Sequence, residues 1–217
     1  MIPETLQIVL RSFTIAAAAT IISSLIAVPA ALLISLVDFR GKHAIVTLTR
    51  AMLGVPSVVI GLVLYLLFTP AGPLGALGLL YTPRIMVIAQ AILAFPIILA
   101  LAHSGVSPLV KPLAELMMTL GADTTRIALG LVYETRRQLS MVVIMAFSRV
   151  IGETGMALMV GGNIRGSTRV MTTTITLETM KGNFELAVRL GLFLFAVAVL
   201  LNIILQLIIK EPDAAAL

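Results

Sequence analysis

A chain of 217 residues that is 59% hydrophobic and only 12% charged is not an ordinary soluble domain, in which about 25% of residues are charged. Its formal charge of +5 comes with no tryptophan and three tyrosines, too little aromatic surface to stack bases, so nucleic acid is not an expected partner. The absence of cysteine excludes a disulfide framework and a thiolate metal site. Several stretches reach the roughly 20 apolar residues needed to cross about 30 Å of hydrocarbon, so an integral membrane protein is expected.

The first predicted span covers residues 12–37, 26 positions without a charge. Pro29 is tolerable there, because neighbouring helices can satisfy the backbone groups it frees. A cleaved signal peptide is the competing reading, with Ala-Val-Pro-Ala at 27–30 as its cleavage region. Glu4 and Arg11 leave the preceding segment without net charge, and the apolar run continues to Val37, so the segment reads as retained. Ala19, Ser23, Ala27 and Ala31 recur every four residues, a stripe that lets another helix approach closely. A second span is predicted at 44–68, enclosing Arg50, Gly54, Pro56 and Gly61. Residues 69–75, Thr-Pro-Ala-Gly-Pro-Leu-Gly, hold too many breakers for helix. A third span covers 85–102, with Pro96 inside. His43 and His103 stand at predicted membrane edges and read as interfacial side chains rather than as a metal pair.

From His103 to Arg137 the chain is polar enough to stand outside a membrane. Within it lies Ala114-Glu115-Leu116-Met117-Met118-Thr119-Leu120-Gly121-Ala122-Asp123. The pattern predicts a short helix, a turn at Gly121 where positive φ costs little, and a second short helix capped by Asp123. A Glu followed six residues later by Gly, with three spans before and two after, resembles the cytoplasmic EAA loop of ABC importer permeases. Leu116 and Met117 replace two alanines usual in that family, and its trailing Ile-x-Leu-Pro is Leu131-Val132-Tyr133-Glu134 here. The resemblance implies that Ala114, Glu115, Leu116, Met117, Gly121, Ala122 and Asp123 dock this chain into a cleft on a separate ATPase.

A fourth span is predicted at 138–160. It encloses Arg149 and Glu153, each costing on the order of 2.5–3.5 kcal/mol near a helix centre. Their four-residue spacing puts both on one face of a helix. Two readings stand: a mutual pair that orders the helix, or contact with a translocation path. Arg50 has the same alternatives, pathway contact or snorkelling to the cytoplasmic edge. Gly161 to Arg169 is a loop by composition, and a fifth span covers 186–209. Asn163-Ile164-Arg165-Gly166-Ser167-Thr168-Arg169, followed by Thr172-Thr173-Thr174-Ile175, resembles the segment after the fourth core helix of oxyanion permeases. Gly-Gly-Asn-Ile at 161–164, Leu177 to Asn183, Gly72-Pro73-Leu74-Gly75 and Leu79 to Pro83 are most similar to tungstate-type members. Hydroxyls and cations at Asn163, Arg165, Arg169, Thr172, Thr173 and Thr174 suit a tetrahedral oxyanion by donating hydrogen bonds and offsetting charge. The same residues also suit turns, caps and water-facing positions.

The expected fold is all-α: one polytopic domain over 1–217, with five transmembrane helices and a cytoplasmic helix–turn–helix coupling loop at 103–137. Basic residues divide almost evenly between the two sides, so orientation follows from the resemblance: N-terminus outside, C-terminus cytoplasmic, in a prokaryotic inner membrane. Only Glu211 to Leu217 follow the last span, so no regulatory module is expected. No Gly-x4-Gly-Lys-Ser/Thr phosphate loop occurs. The chain is therefore expected to be non-catalytic and to bind no cofactor, with ATP and Mg2+ held by the partner subunit. The resemblance implies two ATPase copies, a second copy of this chain, and an extracytoplasmic oxyanion-binding protein. The function so implied is import of an oxyanion, tungstate first and molybdate or another oxyanion as the alternative. An ion-gradient-driven carrier or channel is the reading from another class; the paired repeats and matched broken helices common in such carriers are not visible in the sequence.

Overall fold

The computed structural model describes residues 4–209, and among them eight α-helices follow in order. These are α1 (Glu4–Leu36), α2 (Lys42–Met52), α3 (Ser57–Phe68), α4 (Pro83–Thr119), α5 (Thr124–Ile151), α6 (Gly155–Gly161), α7 (Met171–Met180) and α8 (Phe184–Ile209). No strand occurs among the described residues. Lys210 and the C-terminal tail lie outside them, so the expected cytoplasmic placing of that end does too.

The stripe of small residues is what α1 buries. Ala19, Ser23, Ala27 and Ala31 all sit inside the bundle, and Ser23 donates to the carbonyl of Ala91 on α4 at 2.7 Å. That bond requires the two backbones to lie close, which a larger residue in the stripe would prevent. In its most apolar stretch α4 is 61% buried, α1 33% and α8 11%, which makes α4 the central helix and α8 a rim helix. The rim helix shows Leu192, Phe195 and Leu207 to its surroundings, side chains at home in hydrocarbon.

Among the described residues three helices, α1, α4 and α8, are long and apolar enough to cross a membrane, and there are up to five spans if each of two bent pairs counts as one. The expected second span, 44–68, is one of these pairs: α2 and α3 meet at 98°. Pro56 has an extended backbone and no N–H to give, so the helix cannot pass through Gly54–Pro56. The 12 residues of α3 rise about 18 Å and cannot cross alone. The expected fourth span, 138–160, is the second pair, with α5 and α6 at 63° across Gly152–Thr154. The two bent pairs pack on each other through α3 and α6. A Cβ at Gly61 would lie 3.0 Å from the Cα of Met156, so glycine is what lets the two helices come this close without displacement.

The polar stretch 103–137 is not a loop of separate short helices. Its first half continues α4 and its second half begins α5. At about 1.5 Å per residue the 37 residues of α4 are about 55 Å long, well beyond the hydrocarbon thickness, so a membrane-spanning α4 projects or tilts.

Asp38, just past the end of α1, pairs with Lys42 at 3.1 Å and with Lys111 on α4. Glu4, at the start of α1, pairs with Arg165 in the α6–α7 loop. The α4–α5 turn and the α6–α7 loop therefore lie at opposite ends of the bundle.

Candidate functional site

The α4–α5 turn is built by its own backbone. Gly121 has φ of +78°, its N–H donates to the carbonyl of Met118 at 3.0 Å, and the N–H of Ala122 donates to Met117 at 3.0 Å. This pair of bonds is a Schellman motif, which closes a helix through a left-handed residue. Asp123 then caps α5, its carboxylate accepting the N–H of Arg126 at 2.8 Å. Ala114 is buried in the core and Glu115 is exposed on α4, a turn and a half before the bend. Met117 lies over Gly130, where any Cβ would meet its methyl at 2.2 Å, so the two helices are clamped just below the tip. Leu116, Met118 and Leu120 are exposed around that tip, Leu120 at 78%. From Lys111, level with the end of α1, the helix carries the turn roughly 12 Å further. A rigid hairpin with an apolar, partly acidic tip is suited to insertion into a cleft of another protein.

Inside the bundle, Glu153 is 95% buried in terms of its side chain and receives three donors. Arg149 Nη1 donates to its Oε2 at 2.8 Å, Ser57 Oγ to its Oε1 at 2.8 Å, and the N–H of Met156 to Oε1 at 3.2 Å. The hydroxyl of Thr172 donates to the Glu153 carbonyl at 2.9 Å. Glu153 is not on the helix of Arg149: it stands in the α5–α6 break, beyond the end of α5. The expectation of one helical face was incorrect, because Gly152 ends the helix; the pair forms at the start of the 63° bend instead. The Arg149 side chain is 49% exposed, unlike that of Glu153.

At the end carrying Glu4, the candidate polar residues are used mostly on one another. Asn163, at φ of +51°, donates from Nδ2 to the Thr173 carbonyl at 3.3 Å and accepts the Thr173 hydroxyl at 2.9 Å. The Thr174 hydroxyl donates to Val170 at 2.7 Å, and Thr172, Thr173 and Thr174 are all buried. These hydroxyls hold α7 and its loop in place. Arg165 and Arg169 converge on Glu4, Arg169 at 3.7 Å, and line a cavity of about 220 Å³ with Thr174, Glu178 and Lys181. Arg11 fastens the same loop by donating to the carbonyls of Gly166 at 2.8 Å and Arg169 at 3.1 Å. Lys181 at 2.9 Å and Asn183 at 2.9 Å hold the carboxyl of Glu178 below the usual carboxylate range.

Arg50 belongs to neither group. It lies on α2 at the opposite end, donating to Ser104 Oγ at 3.1 Å and lining a cavity of about 520 Å³. The pathway candidates thus fall at three levels of the bundle: Arg50 at one end, Arg149 and Glu153 within, and the 163–174 group at the other end.

The sequence is similar to named permeases along most of its length. The chain is 34% identical over 209 residues, 96% of its length and 92% of the relative's, to the tungstate uptake system permease protein of Peptoclostridium acidaminophilum. The chain belongs to the ABC importer permeases. It is also 37% identical to a probable anion ABC transporter permease of Haloferax volcanii, over 88% of this chain and 84% of that one. The tungstate uptake system permease of Campylobacter jejuni is 38% identical over 77% of this chain and 70% of its own. No protein-family model matches. As an ABC permease the chain is a multi-pass membrane subunit of an uptake system, working with ATPase and binding-protein partners.

Sequence reasoning missed Ser57, Glu4, Asp38 and Glu178 as members of these clusters. Ser57 follows Pro56 in an otherwise apolar run, and a hydroxyl at the first position after a helix break was the available signal. Asp38 and Glu178 each had a local signal, Lys42 four and Lys181 three residues on, whereas Glu4 had none, because 161 residues separate it from Arg165.

Proposed function

We propose that this chain is the non-catalytic permease subunit of an ATP-driven importer for tungstate. The observation that carries the choice of cargo is that two of the three relatives above are named for tungstate, at 34% and 38% identity. Two copies form the pathway, the α4–α5 hairpin of each docks into one ATPase, and an extracytoplasmic binding protein delivers the oxyanion. ATP and Mg2+ reside on the ATPase. The hairpin end faces the cytoplasm and the Glu4 end faces outward.

Coupling in this reading is mechanical. The docking turn is continuous with α4 and α5, so a displacement of the tip is carried into the bundle without a flexible joint. The bends at Gly54–Pro56 and Gly152–Thr154 are where the inner ends of the paths rearrange. Broken helices at membrane depth are tolerated where they line a cavity, which supports a pathway beside them. Arg149 then offers its guanidinium to the passing oxyanion while Glu153 offsets its charge between passages. Arg165 and Arg169 attract the anion at the outer end and Arg50 at the inner end.

Deletion of the gene tests the cargo. Cells without it fail to accumulate tungsten at nanomolar supply while sulfate and phosphate uptake stay normal, as read by elemental analysis. Loss of molybdenum alone would move the cargo to molybdate and leave the permease role intact.

A further inference from the structure

The cavity beside Arg50 adds residues that the coupling and pathway readings do not use, Lys42, His43 and His103. Lys42, His43, Thr47 and Arg50 from α2, His103 from α4, and Asp38 line about 520 Å³ of space at the hairpin end. Asp38 is the one acid in that lining, and it is already neutralised: Lys42 bonds it at 3.1 Å and Lys111 bonds it from α4. Lys111 first and Lys42 second hold its carboxyl below the usual range. Lys42 also donates to the Val37 carbonyl at 3.2 Å, so one of its three N–H groups remains, together with the charge of Arg50. Both ring nitrogens of His103, which also lines the cavity, are buried with no hydrogen-bond partner. Arg50 gives one N–H to Ser104, leaving others of its five.

We infer that this cavity is a binding site for a tetrahedral oxyanion, a soluble anion or the phosphate of an anionic lipid, held by Lys42 and Arg50 beside the His103 ring. The site goes beyond transport itself, because occupancy would tie α2 to α4 across the α1–α2 turn, on the cytoplasmic side. That placing rests on the orientation proposed above, but binding does not. Guanidinium and ammonium groups suit such a ligand, each charge-assisted bond being stronger than a neutral one.

The test uses the whole chain, solubilised, with Thr47→Cys as its single thiol, since the sequence has no cysteine. The rate of maleimide labelling at this position is followed with sodium tungstate, with inorganic phosphate, and in nanodiscs of phosphatidylcholine with or without phosphatidylglycerol. A saturable slowing by tungstate or phosphate identifies a soluble oxyanion as ligand. Slowing by phosphatidylglycerol alone identifies a lipid headgroup. In either case Lys42→Gln with Arg50→Gln weakens the protection roughly tenfold or more. Should that double variant not fold, Arg50→Lys keeps the protection and Arg50→Gln loses it. Equal labelling under all conditions, or protection indifferent to these changes, overturns the site. Failure of tungsten uptake in cells would leave this result standing, because labelling is read without transport.

Discussion

Ser57 and Glu153 are 96 residues apart in sequence and 2.8 Å apart in the fold. Each stands at a helix break, Ser57 at the start of α3 after the first bend and Glu153 within the second. One buried carboxylate therefore holds the two bent pairs together, with Arg149 and the Met156 N–H completing its coordination. This arrangement makes the bends a single structural unit.

The exposure of the two partners sets an order among variants. Arg149→Met leaves Glu153 a buried charge short of one bond, a loss of about 1.5–3 kcal/mol for a hydrogen bond to a charged group. Glu153→Gln leaves an arginine side chain that is already 49% exposed, and should cost less. The double variant, Arg149→Met with Glu153→Gln, should be better tolerated than Arg149→Met alone. Melting of the three solubilised variants gives the order, and uptake in reconstituted vesicles gives the role. Assembly without transport in the double variant is the expected result; full transport would leave the pair a structural role only.

At Gly121 the backbone has φ of +78° with open space around it. A substitution is therefore resisted by conformation and not by a clash. Gly121→Val should cost about 1–3 kcal/mol of local strain and loosen the Schellman turn. Gly121→Asn, which tolerates the left-handed region, should keep most of the wild-type behaviour. The readout is co-purification of the ATPase with each form. Undiminished binding by the Val variant would remove the turn from its docking role.

Glu115 is exposed on the projecting part of α4. A cysteine placed there should react with an impermeant thiol reagent only from the cytoplasmic side, and bound ATPase should shield it. Labelling from outside intact cells would reverse the orientation proposed above.

Asp38 titrates abnormally because Lys111, and then Lys42, favour its charged form. A depressed folded pKa contributes stability above the unfolded value of about 4, and that stability disappears as pH falls through the folded value. Asp38→Asn should therefore be less stable than wild type at pH 6, and the two should converge under acid conditions. Thermal melts of solubilised protein across this range check the sign; a constant difference down to pH 3 would refute it.

Much was legible along the chain. The apolar stretches, the four-residue stripe buried by α1, the positive φ at Gly121 and the cap at Asp123 all follow from local rules: helical period, glycine's lack of Cβ, and a carboxylate's reach to an N–H. Such rules act within a few residues, so a single sequence carries them. Gly54 and Pro56 were visible too, but an apolar run with breakers reads equally as a kinked span or a broken one. Which it is depends on what packs there: α3 turns aside to lie on α6, through the close approach at Gly61.

The sequence by itself determined an all-helical membrane chain, its family resemblance and the hairpin that joins α4 to α5. Only the tertiary structure decided which polar groups remain available. Thr172, Thr173 and Asn163 have the chemistry to bind an oxyanion, yet the fold commits their hydroxyl and amide groups to backbone and to each other. Arg50, Arg149 and His103 keep unused capacity because the packing gives them fewer partners than they can engage. Hydrogen-bond satisfaction is a property of three-dimensional neighbours, and the neighbours that decide it here lie up to 161 residues away along the chain.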